Sequence, residues 1–422
     1  MNAAPLTQYD FFDPAVLSDP FDFYRRLRRE SPVYEVHHPE LNQSMYLVTS
    51  YALIKEVGSQ PEVFSSDFGH VLFGGGGDNP EADAILAKIP CDPTFLLTHD
   101  DPVHKRRRAI VSKAFTPRMV ADMSHSIGEI TDTIIDGFIE RGECDFVRDF
   151  AVFLPTFVIA DILGVSRDHY AQVTEWSDAI IVRVGKMATK QQEIDAARQI
   201  VELREFILEL IRARRAERTG DLLSNAMYAD PGEESPLTDE ELLSFVQEVL
   251  VAGNETTRNT LISGMTRFLE NPEQMRLLRE DPSLALNAVE EILRLETPAS
   301  AMWRIAARET TLGGVKLPRG AIVSLRYDAA NRDESQFQDP EAFDIRRPNS
   351  RSHLSFSHGP HHCMGQHLAR KELSIAFPKL LSRLEHVRMV AEKSDVRVKP
   401  SVMIRARREL HIAFDPAPRH CP

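Results

Sequence analysis

Cysteine is scarce in this sequence, with only Cys91, Cys144, Cys363 and Cys421 among 422 residues, far apart and without a CxxC pair. Such spacing suggests neither a disulfide framework nor a zinc ribbon and fits a reducing cytoplasm. A basic excess is lacking too. The formal net charge is −13, whereas a general nucleic-acid binder carries enough Lys and Arg to displace counterions from phosphate, so no nucleic-acid partner is expected. No stretch approaches the ~20 apolar residues of a membrane span. The start, Met1 to Asp13, is acidic and polar where a signal peptide needs a basic opening and an apolar run. The expectation is a soluble, cytoplasmic, monomeric protein with no membrane anchor. Repeats and long linkers are missing as well.

What is present is the balance of a chain that buries a sizeable core: 42% hydrophobic and 27% charged residues. Phe73 to Pro80, with four consecutive glycines, and Tyr228 to Pro236 read as loops. Arg118 to Arg141 and Gln191 to Arg218 show apolar residues at helical spacing among charges. Thr238, followed three residues later by Glu241, is a capping-box signature opening an apolar-periodic run to Phe268, which Asn271-Pro272 ends. A helix over about 239–270 is predicted; at ~30 residues it rises ~45 Å, long enough to be central to a domain. A second helix ends near Glu296, before Pro298. The regions around 30–60 and 300–330 read as strands, notably Val33 to Val48, Thr311 to Leu317 and Ala321 to Leu325. The fold class is mainly α with a smaller β region.

The sharpest local signal is Phe356-Ser357-His358-Gly359-Pro360-His361-His362-Cys363-Met364-Gly365, running straight into a helical pattern at Gln366. A thiolate just before a helix is stabilised by free backbone N–H groups and the positive end of the helix dipole. Gly359 and Gly365 are expected to let the backbone turn tightly and approach a flat cofactor, and Phe356 to cover the ligand. A zinc site drawn from His353, His358, His361, His362, Cys363 and His367 is the competing metal reading. A buried free cysteine is the bland one, and it leaves the Phe and Gly spacing unexplained.

This loop resembles the haem loop of the cytochrome P-450 superfamily, Phe-x-x-Gly-x-His/Arg-x-Cys-x-Gly, with all fixed positions present. Other segments match in order. Glu291 and Arg294 resemble the family's Glu-x-x-Arg, and Phe343-Asp344-Ile345-Arg346-Arg347 the segment whose arginine completes that ion network, with Arg347 the better fit. His99 to Arg108 resembles the segment that holds haem propionates, with His104 and Arg108 at i, i+4 facing one carboxylate. Arg304 takes the family's other propionate position, and His361 could reach a haem carboxylate. Leu250 to Thr257 resembles the oxygen-activation segment, with Glu255 and Thr256 as its acid–alcohol pair; Thr257 is the weaker alcohol. Gly253, beside Ala252, suggests a local opening of the helix. Outside this resemblance, Thr256 would be an ordinary helix residue bonding its own backbone.

The resemblance spans about Asp10 to Pro416 and implies a single P-450 domain over 1–422. Haem b would lie between the long helix and the 356–365 loop, with Cys363 as axial ligand to the iron. It implies a soluble bacterial-type (class I) haem-thiolate monooxygenase that puts one atom of dioxygen into a substrate C–H bond. Electrons would come from NAD(P)H through a ferredoxin and its reductase. Lys105, Arg106, Arg107, Arg370 and Lys371 are candidate docking charges for an acidic ferredoxin, the plain alternative being solvated helix faces. Pocket candidates are Val249, Ala252, Gly253, Ala299, Ser300, Ala301 and Met302, with lids at Phe68 to Pro90 and Val182 to Lys190. They suit a small hydrophobic substrate of the terpenoid, steroid or aromatic class. The bulky Met302-Trp303 departs from the family pattern and narrows what can be carried over. A peroxygenase on the same fold resembles chains with Arg-Pro in place of the acid–alcohol pair, so Glu255-Thr256 argues against it, and a haem sensor or carrier would need no such pair.

Overall fold

Tyr34, Val36, Tyr46 and Leu47 do lie on strands, and another strand of the sheet they join carries one of the proposed site residues. The computed structural model describes residues 6–39, 41–73, 79–184, 188–232 and 234–419. Parts of the expected loop and lids, Gly74–Asp78 and Gly185–Met187, lie outside the described residues, as does Cys421. The chain forms two units, one from Met1–Phe68, Thr131–Ala151 and Thr256–Pro422, the other from Gly69–Ile130 and Val152–Glu255.

The first unit contains a five-stranded sheet of β1 (Val33–His38), β2 (Gln43–Val48), β3 (Phe64–Ser65), β4 (Ala301–Ala306) and β5 (Ile322–Arg326), in the order β1-β2-β5-β4-β3. β2 and β5 run parallel, while the other pairs are antiparallel. β5 is buried along its whole length, as its Ile-Val-Ser-Leu run implies. Val48, Val323, Leu325 and Ala306 from the strands pack with Ile54, Val57 and Leu354. The register sets Arg304 of β4 opposite Val323 of β5. Next to the sheet in sequence, Thr310–Leu312 and Val315–Leu317 form a hairpin whose two turn residues, Gly313 and Gly314, both have positive φ, the backbone a tight two-residue hairpin needs.

Helix Ala285–Glu296 is buried from Ala288 onward and carries the first ion network. Glu291 takes Arg294 Nε at 2.7 Å and Nη2 at 2.8 Å, and Arg347 Nε at 3.0 and 3.1 Å. Arg347 completes the network, as expected, and Arg346 is exposed. The remaining arginine protons reach the carbonyls of Asn331, Pro340, Ala342, Gln338 and Asp339, which satisfies a buried charge group by group.

Helices make up most of the second unit, among them Val103–Ala114, Phe153–Ile162, Tyr170–Val184 and Lys190–Ala216. The expected helix over 118–141 is broken into Pro117–Asp122 and Ser124–Asp136. Asp239–Glu270 is a single 32-residue helix that begins in this unit and ends in the other. Its start is the predicted box: Thr238 N–H donates to Glu241 Oε2 at 3.1 Å and Glu241 N–H to Thr238 Oγ1 at 3.2 Å. Its end is Asn271, cap of the next helix, Pro272–Glu280. No helix among the described residues is long and apolar enough to cross a membrane.

Candidate active site

Cys363 lies three residues ahead of helix Gln366–Arg383, whose N-cap, Gly365, offers no side-chain hydrogen bond. The first-turn N–H groups are therefore left to whatever stands before the helix. Its thiol is half-buried and in no disulfide. Two backbone bonds close the loop, Cys363 N–H to Phe356 O at 2.9 Å and His362 N–H to Gly359 O at 3.0 Å. Gly359 has φ +85, and a Cβ there would overlap the Gly58 carbonyl, so both conformation and space require glycine. Gly365 corrects the tight-turn expectation: its φ is −75, open to any residue. A Cβ at 365 would instead lie 3.9 Å from Cys363 Sγ, and the bare Cα leaves that flank of the sulfur uncovered.

A carboxylate that the motifs do not mark props this loop. Glu290, buried beside Glu291, takes Arg370 Nε at 2.8 Å, Arg351 Nε at 3.2 Å and a hydrogen bond to His353 Nε2 at 2.9 Å. Burial alone would raise its carboxyl, but the bonds to His353 and Arg370 outweigh that and bring it down to about 2. Arg370 also lies over the Phe356 ring, 4.4 Å from its centroid. The only sequence signal for Glu290 is a second glutamate in a helix of apolar spacing.

These pairings correct two expectations. Arg370 is committed to Glu290 and Gln366, so its charge is spent inside the fold rather than offered to a docking partner. The zinc reading fails because its histidines have separate partners: His353 bonds Glu290, His358 bonds Ser59 Oγ at 3.2 Å, and His362 Nδ1 bonds Gln366 at 3.0 Å. Among the described residues, the one grouping able to hold a metal ion is the exposed Glu385, His386 and Asp415.

Arg304 is buried on β4, donating to Trp303 O at 2.7 Å, with its guanidinium 5.9 Å from the Phe68 ring centroid. Burial raises the Tyr327 phenol while the Arg304 charge works against it. Tyr327 hydrogen-bonds Ser357 Oγ at 2.8 Å, so Arg304 stands one residue away from the cysteine loop. His361 is half-buried in that loop. Trp303 is buried against Phe68, ring centroids 6.0 Å apart. Of the pocket candidates on this segment, Ser300 and Ala301 are buried. Ser300 gives both its N–H and its hydroxyl to Met403 O, at 2.7 and 2.8 Å, which makes it part of the fold instead. Met302 packs on the sheet core.

In the second unit, His104 and Arg108 share a face of helix Val103–Ala114, and His104 is 3% exposed. Burial first, then the nearby Arg108 charge, lowers the pKa of its imidazole. Its Nδ1 is 3.5 Å from the Asp101 carboxylate. Arg106 and Arg107, two more docking candidates, are drawn inward: both pair with Glu241, and Arg107 Nη1 also reaches Asp92 at 2.8 Å and Phe95 O at 2.9 Å. Lys105 is exposed and Lys371, in the other unit, half-buried.

On the long helix, the middle turns keep accessible surface at Glu248, Ala252, Glu255 and Thr256, spaced i, i+4, i+7 and i+8 along one face. Thr257 is 3% exposed and off that face. Gly253 does not open the helix, which is unbroken across it. The missing side chain serves packing instead, because a Cβ would come 2.7 Å from Ile159 Cδ1. Glu248, a charge within the apolar run Leu242 to Leu250, was open to notice in the sequence, but only its partners show what it does.

Each unit offers groups suited to haem: the first a half-buried sulfur before an uncapped helix and a buried guanidinium at Arg304, the second a buried imidazole beside the Arg108 cation, donors that a carboxylate-bearing cofactor needs. Comparison with known proteins agrees. The family model described as Cytochrome P450 matches residues 18–411. The chain is 34% identical over 395 residues to a steroid C26-monooxygenase of Mycobacterium tuberculosis, covering 94% of each. It is 35% identical to the 6-deoxyerythronolide B hydroxylase of Saccharopolyspora erythraea, covering 95% of this chain and 99% of that one. Among solved structures, the P450 heme domain of Tepidiphilus thermophilus superposes with a TM-score of 0.87 at 28% identity, covering 97% of both chains.

Proposed function

Because this chain belongs to the cytochrome P450 family and is a haem-dependent monooxygenase, we propose that Cys363 is the axial ligand of its haem iron and that it hydroxylates a hydrophobic substrate of the steroid class. The placement of the Cys363 sulfur, half-buried before an uncapped helix with a bare flank at Gly365, carries the reading. Haem supplies the iron at which dioxygen is activated. The overall reaction takes a C–H bond, dioxygen, two protons and two electrons to an alcohol and water.

Each remaining role falls to a side chain of this protein. The first-turn N–H groups after Cys363 temper the charge of its sulfur, and Phe356, held under Arg370, keeps water from it. Arg304 and His361 bind one carboxylate of the cofactor, and His104 with Arg108 the other. Ala252 and Gly253 leave room along the helix face. The Glu255 carboxyl takes protons from water and passes them to the Thr256 hydroxyl, whose Oγ1 donates them onward. Val249, Ala252 and Gly253 would present an apolar surface to the substrate, which suits a steroid better than a polar compound.

Optical titration of the haem-loaded protein with steroids, terpenoids and aromatic compounds tests the substrate. A saturable shift of the Soret band with steroids is expected; a shift with terpenoids or aromatics alone overturns the steroid reading. Cys363→Ala is expected to abolish the thiolate-type spectrum, and its survival overturns the ligand.

Bacterial members of the family take electrons from separate redox partners. An acidic ferredoxin, reduced by NAD(P)H through its reductase, is the proposed partner here, with Lys105 and Lys371 as contact residues. K105E and K371E should each lower the ferredoxin-supported rate and flatten its dependence on salt. Unchanged rates in both remove these lysines from the interface.

A further inference from the structure

Three side chains on one face of the long helix, Glu241, Ser244 and Glu248, hold the segment 92–107. Ser244 Oγ accepts the backbone N–H of Asp92 at 3.0 Å. Glu241 pairs with Arg106 and Arg107. Glu248 takes one backbone N–H on each oxygen, Leu96 on Oε2 at 2.9 Å and Leu97 on Oε1 at 3.1 Å, the latter shared with the Thr94 carbonyl. The segment reinforces itself around these points. Asp92 bonds His99 Nε2 at 2.6 Å and Arg107 Nη1 at 2.8 Å, and Arg107 lies 4.5 Å from the Phe95 ring centroid. Phe95 is buried and packs on Phe245 of the helix. Six residues after Leu97, helix Val103–Ala114 begins, carrying His104 and Arg108.

We propose that Glu248 is a positioning residue whose carboxylate clamps the backbone of Leu96 and Leu97 to the long helix and so fixes where His104 and Arg108 are presented to haem. This rests on the carboxylate-binding role assigned to those two residues. Charge-assisted bonds to backbone N–H groups are about twice as strong as neutral ones, so the Leu96 and Leu97 N–H groups favour the ionised carboxylate. Glu248 is partly buried, and burial pushes its carboxyl up to about 7, with Asp92 adding to the rise and the Leu96 and Leu97 N–H groups and His99 opposing it. Arg106, Arg107 and Glu241 are further charges on the packed elements. Opening returns the carboxyl to water and to its ordinary range, so the closed clamp keeps a proton that the opened one releases. The clamp therefore holds best below about pH 7 and opens more readily above it.

The test is hydrogen exchange of the peptide spanning 92–99 in the haem-loaded protein, corrected for the intrinsic exchange rate, together with the rate of haem loss to an excess of a haem-scavenging protein. Wild type should gain protection about tenfold as pH falls from 8 to 6, the linkage of a carboxyl near 7 in the closed clamp and near the ordinary 4.5 in the opened one. Glu248→Gln should abolish that pH dependence and speed haem loss, Glu248→Asp should restore part of both, and Glu248→Leu covers the case in which the amide folds poorly. A pH-dependent protection that persists in Glu248→Gln overturns the clamp. Wild-type haem loss from Glu248→Gln, alongside fast loss from His104→Ala/Arg108→Ala, overturns the positioning role. Wild-type haem loss from that double variant instead overturns the carboxylate assignment and the purpose of the clamp, while the exchange profile still decides the clamp itself.

Discussion

Two neighbouring arginines on one loop behave as opposites. Arg347 shares Glu291 with Arg294 in a fully buried network, whereas Arg346 is exposed. Removing one partner of a buried pair leaves an uncompensated charge, so Arg347→Ala should cost about 3–5 kcal/mol in urea unfolding, and Arg346→Ala less than about 0.5 kcal/mol. Glu372 gives a second contrast. Its carboxyl is fully buried, Oε2 has no hydrogen-bond partner among the described residues, and burial raises its pKa well above the ordinary 4.5. The folded state therefore keeps a proton that the unfolded chain has lost above 4.5, and stability falls as pH rises from there toward the folded value. Glu372→Gln carries no such proton; its unfolding free energy relative to wild type should improve between pH 5 and pH 8. The Glu291 network, whose charges chemistry obliges to pair, was legible in the sequence. Glu290 and Glu248 were not, because their meaning depends on groups 80 and 152 positions away, Arg370 and Leu96.

Helix boundaries were legible where capping chemistry marks them, as at Thr238 with Glu241 and at Asn271-Pro272. The break at Met123 within 118–141 was not, since apolar residues keep helical spacing across it. Glycine within the long helix was legible as an oddity, and the structure gives the reason: close neighbours at two points. At Gly264 a Cβ would overlap Phe377 Cζ and lie 3.0 Å from Ile292 Cδ1, with both residues buried. At Gly253 the obstacle is the end of the Ile159 side chain, which can turn aside. Alanine gains about 1 kcal/mol over glycine in a helix interior, against about 1–3 kcal/mol for overpacking a core. Gly264→Ala should therefore lower the unfolding midpoint, and Gly253→Ala should change it less. Adding Ile159→Val, which deletes the clashing methyl, should recover what Gly253→Ala loses.

For the molecule as a whole, cysteine is scarce, and among the described residues Cys91, Cys144 and Cys363 form no disulfide. A thiol reductant should leave the Tm unchanged. The mainly helical class with a smaller sheet was legible from composition and spacing. The division into two units was not, because each is stitched from separate stretches with no linker to announce the joins. That stitching constrains recombination between this protein and its relatives. Crossovers that respect the units fall after residues 68, 130, 151 and 255, and an exchange of single contiguous blocks would cut through one packed core or the other. The last of those joins lies inside the long helix, between Glu255 and Thr256. A chimera built on these boundaries would inherit its acid from one parent and its alcohol from the other.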